Sequence, residues 1–425
     1  MRLLVISHNV FSKTGNMGKT LKSYFEGWNV DEIAQLYVHS EIPTDDICHN
    51  YYRITDKEMI KSIFTRKSGR VFTEADIKRD AITTRTDTGN TAKLYQKARK
   101  RTPFIYFARN LWWKMGKWKT KKLLSWIDDF NPDIIFFASG DYAFIYDVAL
   151  ELAKYKSIPL VVSCMDDYYL YNKNAKKAGG KAQHKKLMKS ARRVMEYSSG
   201  IFTICEKMTR DYSELFGKPC YTLSTSSTIT EPLSFEKTNN ISYMGNLGYN
   251  RNEQIVALGK ALKKLECEGK PEYIDVYSQE IREEILKDLN EENGIKFHGK
   301  IGADEVLRIM GSSLAVIHTE SFHKISRNQV KYSVSTKVAD SLASGTPILA
   351  YGPEEIASIE YLKENDSAFC ASDEKELEGC LKSLISDEQR RSQIIENALN
   401  LAKKNHNGDI NRQMLKNKLE EICSK

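Results

Sequence analysis

The sequence predicts an α/β protein of two consecutive parallel-sheet domains, with a helical, basic insertion in the first. Three observations carry that reading. Short runs rich in Val, Ile, Phe and Tyr alternate with helix-period segments, and each run ends in polar or Gly residues, as βαβ units do. The alternation halts over a polar stretch at 226–240 and then restarts. At 425 residues the chain is long for one core and comfortable for two domains of roughly 200 residues each.

Taken in order, strands are expected at RLLVIS, EIAQLYV, DIIFFAS, PLVVSCM, GIFTIC and CYTL in a first domain spanning 1–225. Residues 226–240 read as a linker. A second domain over 241–405 carries strands at ISYMGN, EYIDVYS, IKFHGK, LAVIHT, PILAYG and AFCA. Residues 406–425 close the chain as a helix able to cross back to the first domain. No strand period is visible from Lys57 to Arg101, and RNLWWKMGKWKTKKLLSWI sets four of the five Trp among Lys and Arg. The stretch from about 56 to 128 is therefore read as the helical insertion.

Composition narrows the classes. No apolar run approaches the ~20 residues of a membrane span, and the apolar run Leu3 to Ile6 enters a polar Gly loop at once, unlike a secretory leader. A cytoplasmic protein is expected. Eight Cys are scattered singly, with no C-x-x-C pair and no His at finger spacing, which argues reduced thiols and no metal site. The net charge of +8 is concentrated, because residues 51–125 carry 20 Lys+Arg against 6 Asp+Glu. Basic residues mixed with Trp suit an anionic membrane surface, where Trp sits at headgroup level. Residues 99–127 are thus expected to hold the protein peripherally at the inner face of the plasma membrane. Nucleic acid uses the same residue types, but no recognition motif is present and no such partner is expected.

The chemistry of a parallel sheet belongs at the carboxyl ends of its strands, where helix N-termini present amides to anions. After LAVIHT comes ESFHKISRNQVKYSVSTKVADSLASGTPILAYG. Ser335 and Thr336 are good N-cap residues, Lys337 falls in the first turn, and Asp340 lies one turn beyond Thr336. A diphosphate there gains from the dipole, the amides and Lys337, and Asp340 is placed to accept from ribose hydroxyls. After the first strand, SKTGNMGKTL imitates a phosphate loop, but a Gly is required five residues before Gly18 and Lys13 stands there. Gly15, Asn16, Gly18 and Lys19 are read instead as a wall on the acceptor side.

These segments resemble the donor site of nucleotide-sugar glycosyltransferases with the GT-B fold, specifically the retaining family-4 group of bacterial surface polysaccharide biosynthesis. The family signature is Glu, seven residues, then Glu-Ala-x-Ala-x-Gly-x-Pro. Here ADSLASGTP puts Asp340 at the second acidic position, Tyr332 stands at the first, and Glu320 is the nearest acidic substitute. YMGNLGYNRNEQIVAL is similar to the diphosphate turn, with Gly245, Asn246 in place of Arg, and Arg251 as phosphate partner. IKFHGKIGADEVLRIM, with His298, resembles the segment that holds the nucleobase through its backbone. The resemblance implies two Rossmann-like domains facing a cleft and transfer of a sugar, from UDP by preference, to a saccharide or lipid-linked saccharide. The nucleotide-sugar is a substrate, so no cofactor is implied. The family's His at the end of the fourth strand is replaced by Met165-Asp166-Asp167, which makes Asp166 and Asp167, with Glu320, the candidate catalytic carboxylates. Two alternatives stay open: a nucleotide-sugar epimerase of the same architecture, and a noncatalytic nucleotide-sugar-binding module.

Overall fold

A computed structural model of the chain describes residues 1–12, 16–43, 46–72, 102–172 and 175–425, with Asn16 described through its backbone. The chain forms two compact units, Met1–Leu223 with Arg412–Lys425, and Ser224–Asn411.

The first unit is built on an eight-stranded sheet in the order β4-β3-β2-β1-β5-β6-β7-β8. The strands are β1 Leu3–Ser7, β2 Ile33–Tyr37, β3 Asn50–Arg53, β4 Arg70–Phe72, β5 Ile134–Ala138, β6 Leu160–Cys164, β7 Gly200–Thr203 and β8 Cys220–Thr222. All pair in parallel except β3 with β4. The central strands β1, β2, β5 and β6 are buried at every position, as strands covered by helices on both faces must be. The closing helix Gly408–Cys423 joins this core through Leu415, Leu419 and Ile422, an i, i+4, i+7 stripe that is almost fully buried.

The sequence reading misses β3 and β4, and β4 lies inside the stretch expected to be helical. β4 is a three-residue antiparallel edge, too short to show a period. Its single buried side chain, Phe72, is stacked by the guanidinium groups of Arg53 and Arg70. Gly69, at φ +75°, makes the reversal, and a Cβ there would meet the Tyr52 ring at 2.3 Å. The described remainder of that stretch is helical, over Asp56–Thr65, Pro103–Met115 and Lys121–Phe130. Residues 73–101 lie outside the described residues.

The second unit carries a six-stranded, wholly parallel sheet in the order β11-β10-β9-β12-β13-β14. Its strands are β9 Ile241–Met244, β10 Ile274–Tyr277, β11 Ile295–Gly299, β12 Ala315–Thr319, β13 Ile348–Tyr351 and β14 Phe369–Ala371. This is the doubly wound order, in which the chain starts at the centre, proceeds to one edge and then returns to the other side of the first strand. The polar stretch read as a linker belongs to this unit and is fastened along it. Leu233 N–H donates to Ser344 O, Thr238 N–H to Ser312 O, and Lys237 Nζ to Gly311 O and Thr346 Oγ1. Those bonds satisfy backbone groups that have no strand partner.

Candidate functional site

The order of the second sheet dictates where its site lies. β9 pairs with β10 on one side and β12 on the other, and the β9–β12 ladder runs only through Ile241↔Ala315 and Ser242↔Val316. Beyond it the two strands are not laddered. Tyr243–Met244 and Ile317–Thr319 become the walls of a pocket of about 400 Å³ at the switch point.

Two helices begin at this pocket, and each opens with a cation. Arg251 is the first residue of the helix Arg251–Lys264, and Lys337 the second of the helix Thr336–Ala343. A cation at a helix N-terminus opposes the dipole and costs about 0.3–1 kcal/mol, so neither placement stabilises its own helix. The cap positions do not compensate, since neither Asn250 nor Ser335 bonds its helix's amides through its side chain. Tyr249 and Asn250 precede Arg251 in consecutive left-handed conformations, φ 61° and 62°, a strained entry for residues that carry a Cβ. Asn250 is held there by Ser326 Oγ, 3.0 Å from its Oδ1.

Glu320, at the end of β12, gathers this charge. Its carboxylate accepts a bidentate pair from Arg251, Nε at 3.0 Å and Nη2 at 2.8 Å, and its residue is 3% exposed. Burial pushes the Glu320 carboxyl upward while Arg251 opposes the shift. The stem of Lys337 is exposed, but its ammonium turns in over Gly245, where a Cβ would sit 2.6 Å from Nζ. Burial of that end, reinforced by Arg251, holds the ammonium below the ordinary lysine range. His318, on the pocket wall, is held down to about 3 by burial and then by both cations, so it is a neutral imidazole bonded to Ser358 Oγ at 2.9 Å. Glu320 bonds one of the two cations, Asp340 in the lining is taken up by Ser227 and Thr228, and neither cap side chain bonds its helix's amides, an arrangement that favours an anion. The lining also has an apolar part, with Ile301, Val306, Leu307 and Met310, which suits a flat ring.

Residues 257–415 match the family model described as glycosyl transferase-like. The chain also matches solved structures over its whole length. It is 13% identical to Anabaena Alr3699/HepE in complex with UDP, with a TM-score of 0.60, covering 99% of this chain and 100% of that one. Against sucrose-phosphate synthase from Thermosynechococcus elongatus the identity is 11%, the TM-score 0.57, and all of both chains is covered. A UDP-forming alpha, alpha-trehalose-phosphate synthase from Burkholderia xenovorans matches at 10% identity and TM-score 0.55, with 99% of each chain covered. No curated protein sequence matches the chain.

The fold is GT-B.

Within this GT-B chain the pocket brings together Gly245, Asn246, Arg251, Glu320, Ser335, Lys337 and Asp340 from the expected residues. Thr336 and His298 are not in its lining. His298 lies on the edge strand β11, and its Nε2 is 2.6 Å from Asp275 Oδ1 on β10 while its ring stacks on Tyr277, so the side chain serves the sheet. The pocket takes Lys300 and Ile301, just past that strand, instead. Glu320, expected as a candidate catalytic carboxylate, is the partner of Arg251. Asp340 also has a local duty, because its Oδ1 accepts from Ser227 Oγ, Thr228 N–H and Thr228 Oγ1. Asp340→Asn is therefore expected to lower the melting temperature by a few degrees, for roughly 1–2 kcal/mol of weakened acceptor strength. Unchanged melting with weaker nucleotide binding would assign it to the ribose instead.

Sequence reasoning missed His318, Lys300, Tyr243 and Ser278. Tyr243 and His318 are the penultimate residues of β9 and β12, and Ser278 and Lys300 are the first residues past β10 and β11, so the end of each recognised strand and the residue after it were the available signal. Ser278 is buried, and its hydroxyl has no partner among the described residues, which leaves it for a ligand.

In the first unit, Gly15 and the side chain of Asn16 lie outside the described residues. Gly18 opens the helix Asn16–Ser23 and packs so closely that a Cβ would meet Val10 O at 2.4 Å, which explains the glycine by packing. Lys19 is exposed. Asp166 and Asp167 follow β6. Asp167 is buried and its Oδ1 accepts from Tyr169 N–H, Leu170 N–H and Tyr212 Oη, so it ties the loop to the helix Glu206–Phe216. Asp166 is only half-buried, and its Oδ1 accepts from Asp167 N–H.

Proposed function

We propose that the protein is a glycosyltransferase that moves a sugar from a UDP-sugar to a saccharide or lipid-linked saccharide in surface-glycan biosynthesis, with retention. The observation that carries the donor half is the convergence of two cation-bearing, uncapped helix N-termini on one pocket whose lining also has an apolar part. A diphosphate fits the first feature and a uracil ring the second. The UDP held by HepE and the UDP-forming reaction named for the trehalose-phosphate synthase support that donor class.

In this reading Arg251 and Lys337 neutralise the departing diphosphate, which is the charge that grows as the sugar–oxygen bond breaks. Glu320 holds Arg251 in place for that duty. No protein nucleophile is assigned, and Asp166, at the carboxyl end of β6, orients an acceptor hydroxyl. The protein acts in the cytoplasm, at the inner face of the membrane, where a lipid-linked acceptor is presented.

A panel of nucleotide-sugars assayed for nucleotide release, with and without saccharide acceptors, tests the reaction. Acceptor-dependent UDP release is the expected result. Sugar isomerisation without transfer would make it an epimerase, and tight nucleotide binding without turnover would make it a binding module. Asp166→Asn is expected to slow transfer about tenfold or more at unchanged nucleotide affinity, since it lies in the other unit from the donor pocket. Equal rates would remove Asp166 from the acceptor site.

A further inference from the structure

The tryptophans expected to anchor the basic segment are not the exposed ones. Trp113 is buried, stacks on Phe144 at 4.2 Å and donates through Nε1 to Asp56 Oδ1. Trp126 is also buried and donates to Asn50 Oδ1. What the helix Pro103–Met115 exposes is Phe104, Phe107, Leu111 and Met115, the two phenylalanines at 77% and 62% exposure. These fall three, four and four residues apart, within about 80° of the helix circumference. The helix Asp56–Thr65 packs on it, with Gly116 set against Met59 and Ser62, and exposes Ile60 and Phe64, the latter at 87%. Six large apolar side chains in water on two packed helices far exceed the scattered exposure of an ordinary surface.

The charge around them has one sign. Lys57, Lys61, Arg66, Lys67, Lys114, Lys117, Lys121 and Lys122 are exposed. Residues 102–122 contain no acid, and the two acids of 56–67 are each taken up by a neighbouring group. Glu58 closes a capping box with Thr55, and Asp56 pairs with Arg109 at 2.8 Å. We propose that this face, Ile60 and Phe64 with Phe104, Phe107, Leu111 and Met115, docks the first unit on an anionic lipid bilayer. The proposal deepens the peripheral location given above and rests on it.

The inner face of the same helix gives the docking a purpose. Tyr106 Oη donates to Asp141 Oδ2 at 2.5 Å, Asn110 Oδ1 accepts from Phe144 N–H, and Arg109 Nη1 lies 3.1 Å from His8 Nε2 and stacks on Tyr142. His8 follows β1, and Asp141 and Tyr142 follow β5, so the helix is riveted to the switch point of the first sheet. Apolar anchors give a contribution that salt does not screen, and the lysines give one that it does. Lipid contact at the outer face therefore sets the carboxyl edge of that sheet against the bilayer.

Flotation with vesicles of phosphatidylglycerol and phosphatidylcholine, against phosphatidylcholine alone, tests this. The wild type is expected to float with the anionic vesicles and to be released in part by salt. Phe64→Ser/Phe104→Ser/Phe107→Ser is expected to lower partitioning by about a hundredfold, and Lys57→Glu/Lys61→Glu/Lys114→Glu to abolish the preference for anionic lipid. Both variants should bind UDP by calorimetry as the wild type does, which separates loss of docking from loss of the nucleotide site. A wild type that stays unbound at low salt, or a triple Ser variant that floats equally, overturns the proposal. A triple Ser variant that converts a dimer to a monomer in sedimentation shows instead that a second copy covers the face.

Discussion

Arg251→Ala should unfold the second unit at a melting temperature roughly 10 °C lower, and bind UDP at least about tenfold more weakly. The stability loss follows from what remains. Glu320 stays buried without its bidentate partner, and breaking such a pair costs about 3–5 kcal/mol. The loss carries a pH signature. Burial raises the Glu320 carboxyl and Arg251 is the main force against that shift, so removing Arg251 lifts the folded-state pKa further above the unfolded one. A group raised on folding contributes stability below its unfolded pKa and loses it as pH rises through the folded pKa. The variant should therefore recover toward the wild type as pH falls below neutrality, and thermal melts between pH 5 and 8 check this. Arg251→Met/Glu320→Leu should restore the melting temperature without restoring UDP binding. If Arg251→Ala leaves both properties intact, the pair is neither the structural nor the anionic centre of the pocket.

Lys337→Ala should separate the two effects. Its ammonium has no bonded carboxylate among the described residues and lies where burial and then Arg251 disfavour its charge, with Glu320 opposing them, so truncation removes a disfavoured charge from the unliganded protein. Melting should be unchanged or slightly higher. UDP affinity should fall about ten- to a hundredfold, for the loss of one charge-assisted bond of roughly 1.5–3 kcal/mol. In the wild type, affinity should decline as pH rises through the depressed lysine pKa, and that decline should be absent from the variant. Calorimetry with UDP across pH 7 to 10 reads both. A variant that binds UDP normally removes the diphosphate from this helix N-terminus.

The fold was legible in the sequence because strand and helix periods are local. RLLVIS, DIIFFAS and LAVIHT announce buried parallel strands by their apolar runs and polar ends, and these are β1, β5 and β12. β4 escaped because RVF offers no period, and only pairing with β3 under two arginines makes it a strand. Part of the site was legible on the same ground. Ser335 and Lys337 open a helix just before β13, a cap-and-helix pattern that is local in sequence, although a short helix, Lys324–Val330, separates them from β12.

Side-chain direction is where sequence stopped. The segment of His298 was expected to hold a nucleobase through its backbone; the His298 side chain goes to Asp275, and Lys300, just past the strand, is the residue that lines the pocket. Trp113 and Trp126 looked like membrane anchors by composition. Helix rotation turns Trp113 inward, both rings donate to partly buried side chains, Asp56 and Asn50, and Phe104 and Phe107 are left in water. Glu320 and Arg251 stand 69 residues apart, and nothing local pairs them. The sequence by itself determined two parallel-sheet domains, the residues that open a helix at the carboxyl edge of the second and a basic segment in the first. Only tertiary packing decided which charges meet, because ion pairs and burial depend on distances that chain-local periodicity does not encode.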